Sequence, residues 1–178
     1  FAIPSNKIAV WQMINTLLPY LLLIVAMYFM VKFKVPYIYI LAFSILPGLL
    51  LVRIFIFFHD CTHKSFMKNK KAMNILGHVF GILVFTSFHR WQREHVKHHS
   101  TVGNIDKRGV GDVWTMTVDE YKSSKWTKRL GYRLYRNPLV LFVVGPIYVF
   151  LISERLPFEN KNKKDWFSNS VTNIGVIA

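Results

Sequence analysis

The chain has 178 residues, with 23 Lys+Arg against 9 Asp+Glu, a net charge of +14, and 52% hydrophobic content. The apolar residues lie in long uncharged blocks and the charge lies between them, which excludes a disordered chain, a disulfide scaffold and a basic soluble domain. Cys61 is the only cysteine, so no intramolecular disulfide can form.

Residues 8–31 carry no charge. As a helix they reach roughly 36 Å, enough for a hydrocarbon core of about 30 Å. After the basic turn Lys32-Phe33-Lys34-Val35-Pro36, residues 35–58 form a second apolar run broken only by Arg53. The two read as a transmembrane hairpin. Spanning helices tolerate Pro19, Pro47 and Gly48, and Arg53 sits where a long side chain snorkels to the headgroups. Residues 72–89 lack Asp, Glu, Lys and Arg, but their histidines and glycines suit an interfacial or re-entrant helix better than a span. Residues 137–153 read as a third span, and a fourth begins at Trp166. The chain opens on Phe1 and stops within an apolar run at Ala178, so it reads as incomplete at both ends. Most Lys and Arg fall between His59 and Asn137, which suggests the cytoplasmic side. The short loops 32–34 and 155–164 are denser in positive charge, so charge alone leaves orientation open.

Five histidines form two tight groups in residues 59–136: His59 and His63, spaced H-x-x-x-H, then His95, His98 and His99, spaced H-x-x-H-H. On a helix, positions i, i+3 and i+4 share one face. Imidazole suits iron, zinc or copper. Five imidazoles exceed what one tetrahedral zinc needs, and no cysteine pair or H-E-x-x-H accompanies them. The count points to two metals, and an oxygen-activating iron pair is the natural reading.

These residues carry a family resemblance. His59-Asp60-Cys61-Thr62-His63-Lys64-Ser65-Phe66, Arg90-Trp91-Gln92-Arg93-Glu94-His95-Val96-Lys97-His98-His99, the stretch 103–121, Tyr135-Arg136-Asn137-Pro138 and Gly145-Pro146 resemble the membrane fatty acid desaturases. Within that family they resemble most the delta-12 (omega-6) branch. The family's third box, another H-x-x-H-H after the fourth span, has no counterpart here.

The resemblance implies an all-α integral membrane helical bundle: two hairpins of transmembrane helices plus interfacial helices, with the fourth span truncated. It implies one desaturase-like domain over 1–178, with spans near 8–31, 35–58 and 137–153, a fourth starting at 166, and a cytosolic histidine-box region at 59–136. His59, His63, His95, His98 and His99 would ligate two irons, with molecular oxygen as co-substrate. Electrons would come from a ferredoxin or cytochrome b5 type donor. The substrate would be the acyl chain of a membrane lipid, converted to a cis double bond, with a bacterial inner membrane as the location. Nucleic acid is not an expected partner.

Asp60 is the candidate carboxylate behind a ligand, accepting an imidazole N–H. Glu94, Asp106 and Asp112 have the same option, or ordinary pairing with Arg90, Arg93, Lys107 or Arg108. His78 and His89 read as structural. Trp91, Trp114, Trp126 and Trp166 read as interfacial anchors. No strand precedes Gly109-Val110-Gly111-Asp112, so it is not a phosphate loop. The cations from Lys122 to Arg136 read as a headgroup-facing surface, with docking of an acidic electron carrier as the alternative. Competing enzyme readings are a carotenoid ketolase or hydroxylase and an alkane hydroxylase. A non-enzymatic metal- or haem-binding membrane protein is the alternative of another class.

Overall fold

The structure is a computed structural model that describes residues 4–109, 111–157 and 161–178. Val110 and residues 158–160, in the motif and loop singled out above, lie outside the described residues, as do residues 1–3. Every regular element among the described residues is helical. The chain divides into two compact units, one of Phe1–Phe88 with Val171–Ala178, the other of His89–Ser170.

In the first unit, α1 (Asn6–Lys32) contains the whole first expected span. Its apolar side chains are largely exposed, Leu18, Leu22 and Val25 by more than half, as suits a helix that meets lipid. Inside the helix, Thr16 satisfies its buried hydroxyl by donating to the Gln12 carbonyl at 2.7 Å. Lys34, at φ 55°, turns the chain after α1.

The second expected span is divided into α2 (Tyr37–Phe43) and α3 (Ile45–Thr62), hinged at Ser44. Pro47 accounts for the hinge. It has no N–H to donate to the Phe43 carbonyl, and its ring crowds that turn. Together the two helices run Tyr37–Thr62, and with Asn6–Lys32 they are, among the described residues, the two helices long and apolar enough to cross a membrane. The count reaches four if two bent helix pairs are each taken as one span. The helix runs on past residue 58 through the first histidine box, and Lys64, at φ 57°, marks the turn that follows.

Asn69 caps α4 (Lys70–Leu83) by accepting from the N–H groups of Lys71 and Ala72. At 14 residues this helix is about 21 Å long, short of a hydrocarbon core. It packs on α3 through rings: Phe57 lies 5.8 Å from Phe80 and 5.1 Å from Phe66, and Phe58 lies 5.8 Å from Phe88. Two glycines let the backbones close in. A Cβ on Gly81 would stand 2.6 Å from the Thr86 carbonyl, and one on Gly77 would stand 2.3–2.6 Å from the Phe88 ring. His78 is structural, its Nδ1 2.7 Å from the Asn74 carbonyl and its ring against Phe88.

The second unit is organised by α5 (Phe88–Thr101). Arg90 on this helix is 3% exposed, and its guanidinium donates to the carbonyls of Ser153 and Leu156. Glu94 and Glu154 flank the same guanidinium at 3.5 and 3.8 Å. The first turns of α9 (Lys163–Ile177) join this network. Asp165 faces Arg93 at 3.1 Å, Ser168 accepts from the His89 N–H, and Asn169 donates to the Glu154 carbonyl.

Thr117 and Glu120 form a capping box on α6 (Val118–Ser123). The Thr117 N–H, then Arg108, hold the Glu120 carboxyl below the usual range. α7 (Trp126–Tyr135) is fastened to the preceding segment by Trp114, whose ring meets Tyr132 at 5.3 Å and Tyr135 at 5.9 Å. The expected third span appears as Val140–Arg155, bent 61° from α7. Within it α8 (Gly145–Ile147) lies between the π-helical turns Val140–Val144 and Tyr148–Ile152. Pro146 removes one i→i−4 bond, which accounts for the wider turns beside it.

The Gly77 contact yields a direct test. Gly→Ala inside a helix ordinarily stabilises by about 1 kcal/mol. At Gly77 the added methyl meets a buried ring, so Gly77→Ala should destabilise by about 1–3 kcal/mol. Gly131→Ala on α7 has open space and should be neutral or stabilising. Thermal unfolding of both variants in nanodiscs checks the contrast, and an unchanged midpoint for Gly77→Ala contradicts the packing.

Candidate metal centre

The last turn of α3 and its C-cap residue present His59 and His63, their ring centroids 4.5 Å apart. This follows from i,i+4 spacing on a helix that continues out of an apolar span. Asp60 lies beside His59, its Oδ1 3.2 Å from Nδ1. With the proton on Nδ1 and directed at Asp60, the Nε2 lone pair of His59 is left for a ligand. The Thr62 hydroxyl donates to the His59 carbonyl at 2.6 Å and closes the final turn. Cys61 is 1% exposed and two residues from His59, so it faces away from the histidine pair.

In the second unit α5 has two faces. Arg90, Arg93, Glu94 and Lys97 occupy one and Trp91, His95, His98 and His99 the other, as 3.6-residue periodicity requires. The Nε2 atoms of His95 and His99 are 2.9 Å apart. Trp91 stacks on the His95 ring at 4.1 Å and 15°. The indole thus supports a histidine rather than serving only as an interfacial anchor, and its i,i+4 spacing from His95 was the signal for this.

His98 shares the face but not the close pairing; its ring centroid is 6.2 Å from that of His95 and 5.9 Å from that of His99. Its Nδ1 instead stands 3.1 Å from Asp112 Oδ1, a charge contact without hydrogen-bond alignment. The other Asp112 oxygen accepts from the Gly109 N–H at 3.2 Å. Gly111, at φ 74°, passes so near the His98 ring that a Cβ there would stand 3.1–3.2 Å from it. A side chain would be strained by φ and crowded by the ring.

The remaining candidates separate. Glu94 makes ordinary charge pairs, with Arg90 at 3.5 Å and Arg93 at 3.4 Å. Asp106 lies in a 3-10 turn (Ile105–Lys107) capped by Asn104. The backbone N–H of His89 is bonded to Ser168. Asp112 ranks with Asp60 as a carboxylate facing an imidazole Nδ1.

The donor set fits a transition metal. Two histidine nitrogens at about 2.0–2.1 Å from one ion and at right angles stand about 2.9 Å apart, against about 3.4 Å in a tetrahedron. The His95–His99 separation of 2.9 Å corresponds to the right-angled case, and it is also the length of an N–H···N hydrogen bond. Neutral imidazoles with carboxylates behind them suit iron as well as zinc or copper.

Comparison with known proteins bears on the choice of chemistry. The family model described as fatty acid desaturase matches residues 34–176. A fatty acid desaturase of Bacillus subtilis is 42% identical over 178 residues, covering 100% of this chain and 50% of that protein. An sn-1 acyl-lipid omega-3 desaturase (ferredoxin) of Nostoc sp. is 29% identical over 147 residues, 76% of this chain and 39% of that protein. An sn-1 oleoyl-lipid 12-desaturase of Synechocystis sp. is 32% identical over 91 residues, 51% of this chain and 25% of that protein. The chain therefore spans half or less of the length of these relatives. No solved structure matches it. The match over residues 34–176 takes in the second apolar stretch, both histidine groups and the clasp at Asp112, and this chain belongs to the fatty acid desaturase family.

Proposed function

We propose that the chain carries part of the active site of a membrane acyl-lipid desaturase. The reaction removes two hydrogens from adjacent methylenes of a lipid acyl chain and leaves a cis double bond. The observation that carries this reading is the pairing of imidazoles at the polar ends of helices, two on α3 and two on α5, in a desaturase-family chain.

In this reading His59, His63, His95, His98 and His99 are ligands to two irons. A further H-x-x-H-H box in the full-length protein, as the resemblance implies, completes the set. Irons held there supply the oxidising power, with molecular oxygen, to break an unactivated C–H bond, which side chains alone do not. The chain's own residues hold and orient. Asp60 accepts a hydrogen bond from the Nδ1–H of His59, Asp112 stands beside Nδ1 of His98, and the flat Trp91 indole restricts rotation of His95. Electrons arrive from a one-electron carrier of ferredoxin or cytochrome b5 type; the Nostoc relative is named as ferredoxin-dependent. The relatives include both omega-3 and 12-desaturases.

The histidine-bearing region faces the cytosol of a bacterial inner membrane, and residues 1–178 belong to one membrane domain. The length of α4, about 21 Å, supports this arrangement, since a helix that short does not by itself cross a hydrocarbon core. In full-length protein, single cysteines at Lys70 and Lys97 should react with an impermeant maleimide from the cytosolic side only. Labelling from opposite sides would rule out a shared metal site.

Metal binding is measurable without turnover. The 178-residue chain in nanodiscs should bind cobalt(II) with ligand-field absorption. His99→Ala should weaken binding at least tenfold, and Asp60→Ala by roughly 10–100-fold, the usual cost of losing the carboxylate behind a ligand. His78→Ala should bind like the parent. Unchanged affinity in His99→Ala would remove it from the ligand set.

Desaturation is tested by fatty acid analysis after expression in a host lacking polyunsaturated lipids. Full-length protein should form a new double bond and each of the five histidine-to-alanine variants should not. The 178 residues alone should form none, because five imidazoles leave two irons short of ligands. Metal binding without product in the full-length protein would favour the non-enzymatic reading.

A further inference from the structure

The stretch from Tyr121 to Asn137 contains six cations, Lys122, Lys125, Lys128, Arg129, Arg133 and Arg136, and no acid. Its helix α7 exposes Trp126 by 68%, Leu130 by 47% and Leu134 by 58%. These three lie at i, i+4 and i+8, so they form one stripe along the helix. At 100° per residue, Lys125, Arg129, Arg133 and Arg136 fall together along one flank of that stripe. An exposed apolar row beside a cationic row is the pattern of a helix lying in a bilayer surface.

The neighbouring geometry agrees. The apolar segment Val140–Arg155 is bent 61° from α7. With that segment crossing at the usual tilt of about 20°, α7 lies within roughly 10–50° of the membrane plane. Three charges within Trp126–Tyr135 make that helix unsuited to the hydrocarbon core.

Between α6 and α7 is a groove of about 580 Å³, lined by Val118, Tyr121, Lys122, Tyr132, Arg133 and Arg136 among others. Its floor is aromatic and aliphatic and three cations border it. Arg133 donates through Nε to the Tyr121 hydroxyl and lies 5.7 Å from that ring. This uses one of the five N–H groups of its guanidinium.

We propose that α6 and α7 bind an anionic phospholipid at the membrane surface. The phosphate lies against Lys122, Arg133 and Arg136. The glycerol and first acyl methylenes lie on Val118, Tyr121 and Tyr132. The Trp126–Leu130–Leu134 stripe is immersed beside it. A soluble acidic protein would find the cations but would leave that stripe in water, so the apolar row decides for lipid. This site is independent of the histidines and of the reaction.

Two measurements on metal-free chain in nanodiscs test it, so failure here leaves the metal reading untouched. In the first, a nitroxide is placed at Leu130→Cys, with Lys128→Cys as the control about 160° away around the helix. Native Cys61, 1% exposed, stays unlabelled. In discs containing phosphatidylglycerol, the label at 130 should be relaxed by oxygen and shielded from an aqueous nickel chelate, and the label at 128 the reverse. In the second, native mass spectrometry follows phosphatidylglycerol against phosphatidylcholine retained on the protein. The parent should retain phosphatidylglycerol preferentially, in the presence of millimolar inorganic phosphate. K122A/R133A/R136A should lose that preference by on the order of 100-fold, at about 1 kcal/mol per charge near the surface. Access of the chelate to residue 130 would overturn the proposal and leave the face to a soluble acidic partner. So would equal phosphatidylglycerol preference in parent and triple variant, or displacement of the lipid by inorganic phosphate.

Discussion

The buried guanidinium of Arg90 is the interaction on which the second unit is built. A charge 3% exposed must be compensated, and this one finds two carbonyl acceptors and two carboxylates, Glu94 and Glu154. Those partners come from residues 153–156 and from α5 itself. Removing one partner of such a buried charge typically costs about 3–5 kcal/mol, because the other charge is left uncompensated. The network therefore fixes the rotation of α5 about its own axis. Once Arg90, Arg93 and Glu94 are turned toward α9 and residues 153–156, helical periodicity turns His95, His98 and His99 the other way.

The first unit reaches a similar precision by apolar means. Phe57, Phe58, Phe66, Phe80 and Phe88 interlock with ring separations of 5.1–6.2 Å. Glycines at 77 and 81 admit the approach of Phe88 and Thr86. The end of α3 is thereby held rigid where His59 and His63 emerge. Each pair of imidazoles thus sits on a helix whose opposite face is tightly committed, which limits the freedom of the histidines.

Apolar exposure has the opposite distribution from that of a soluble protein. Along α1, α2 and the segment 139–152, large aliphatic and aromatic side chains stand half or more exposed, among them Leu139, Phe142, Tyr37 and Ile38. The small buried cores hold polar groups that hydrogen bonds satisfy, such as Thr16 and Asn169. Lipid, rather than water, is the solvent that makes such a surface stable.

The helical character, the apolar stretches and both histidine groups were legible in residue order because each depends on contacts within one or two turns. Periodicity alone sets His59 beside His63 and His95 beside His99. The hinge at Ser44 was legible only as Pro47, a residue that a membrane helix tolerates, and the wide turns around Pro146 were not legible, that residue entering only through the family resemblance. Trp91 showed its spacing from His95 but not the rotamer that stacks the rings. Asp112 is the clearest case of a role assigned by tertiary structure. It lies 14 residues beyond His98, and only a loop passing through positive φ at Gly111 returns its carboxylate to the imidazole. Residue order determined which helices form and which side chains share their faces, because those follow from a fixed 3.6-residue repeat. Tertiary structure alone decided that Asp112 stands behind His98, because loop closure between distant residues has no period to read.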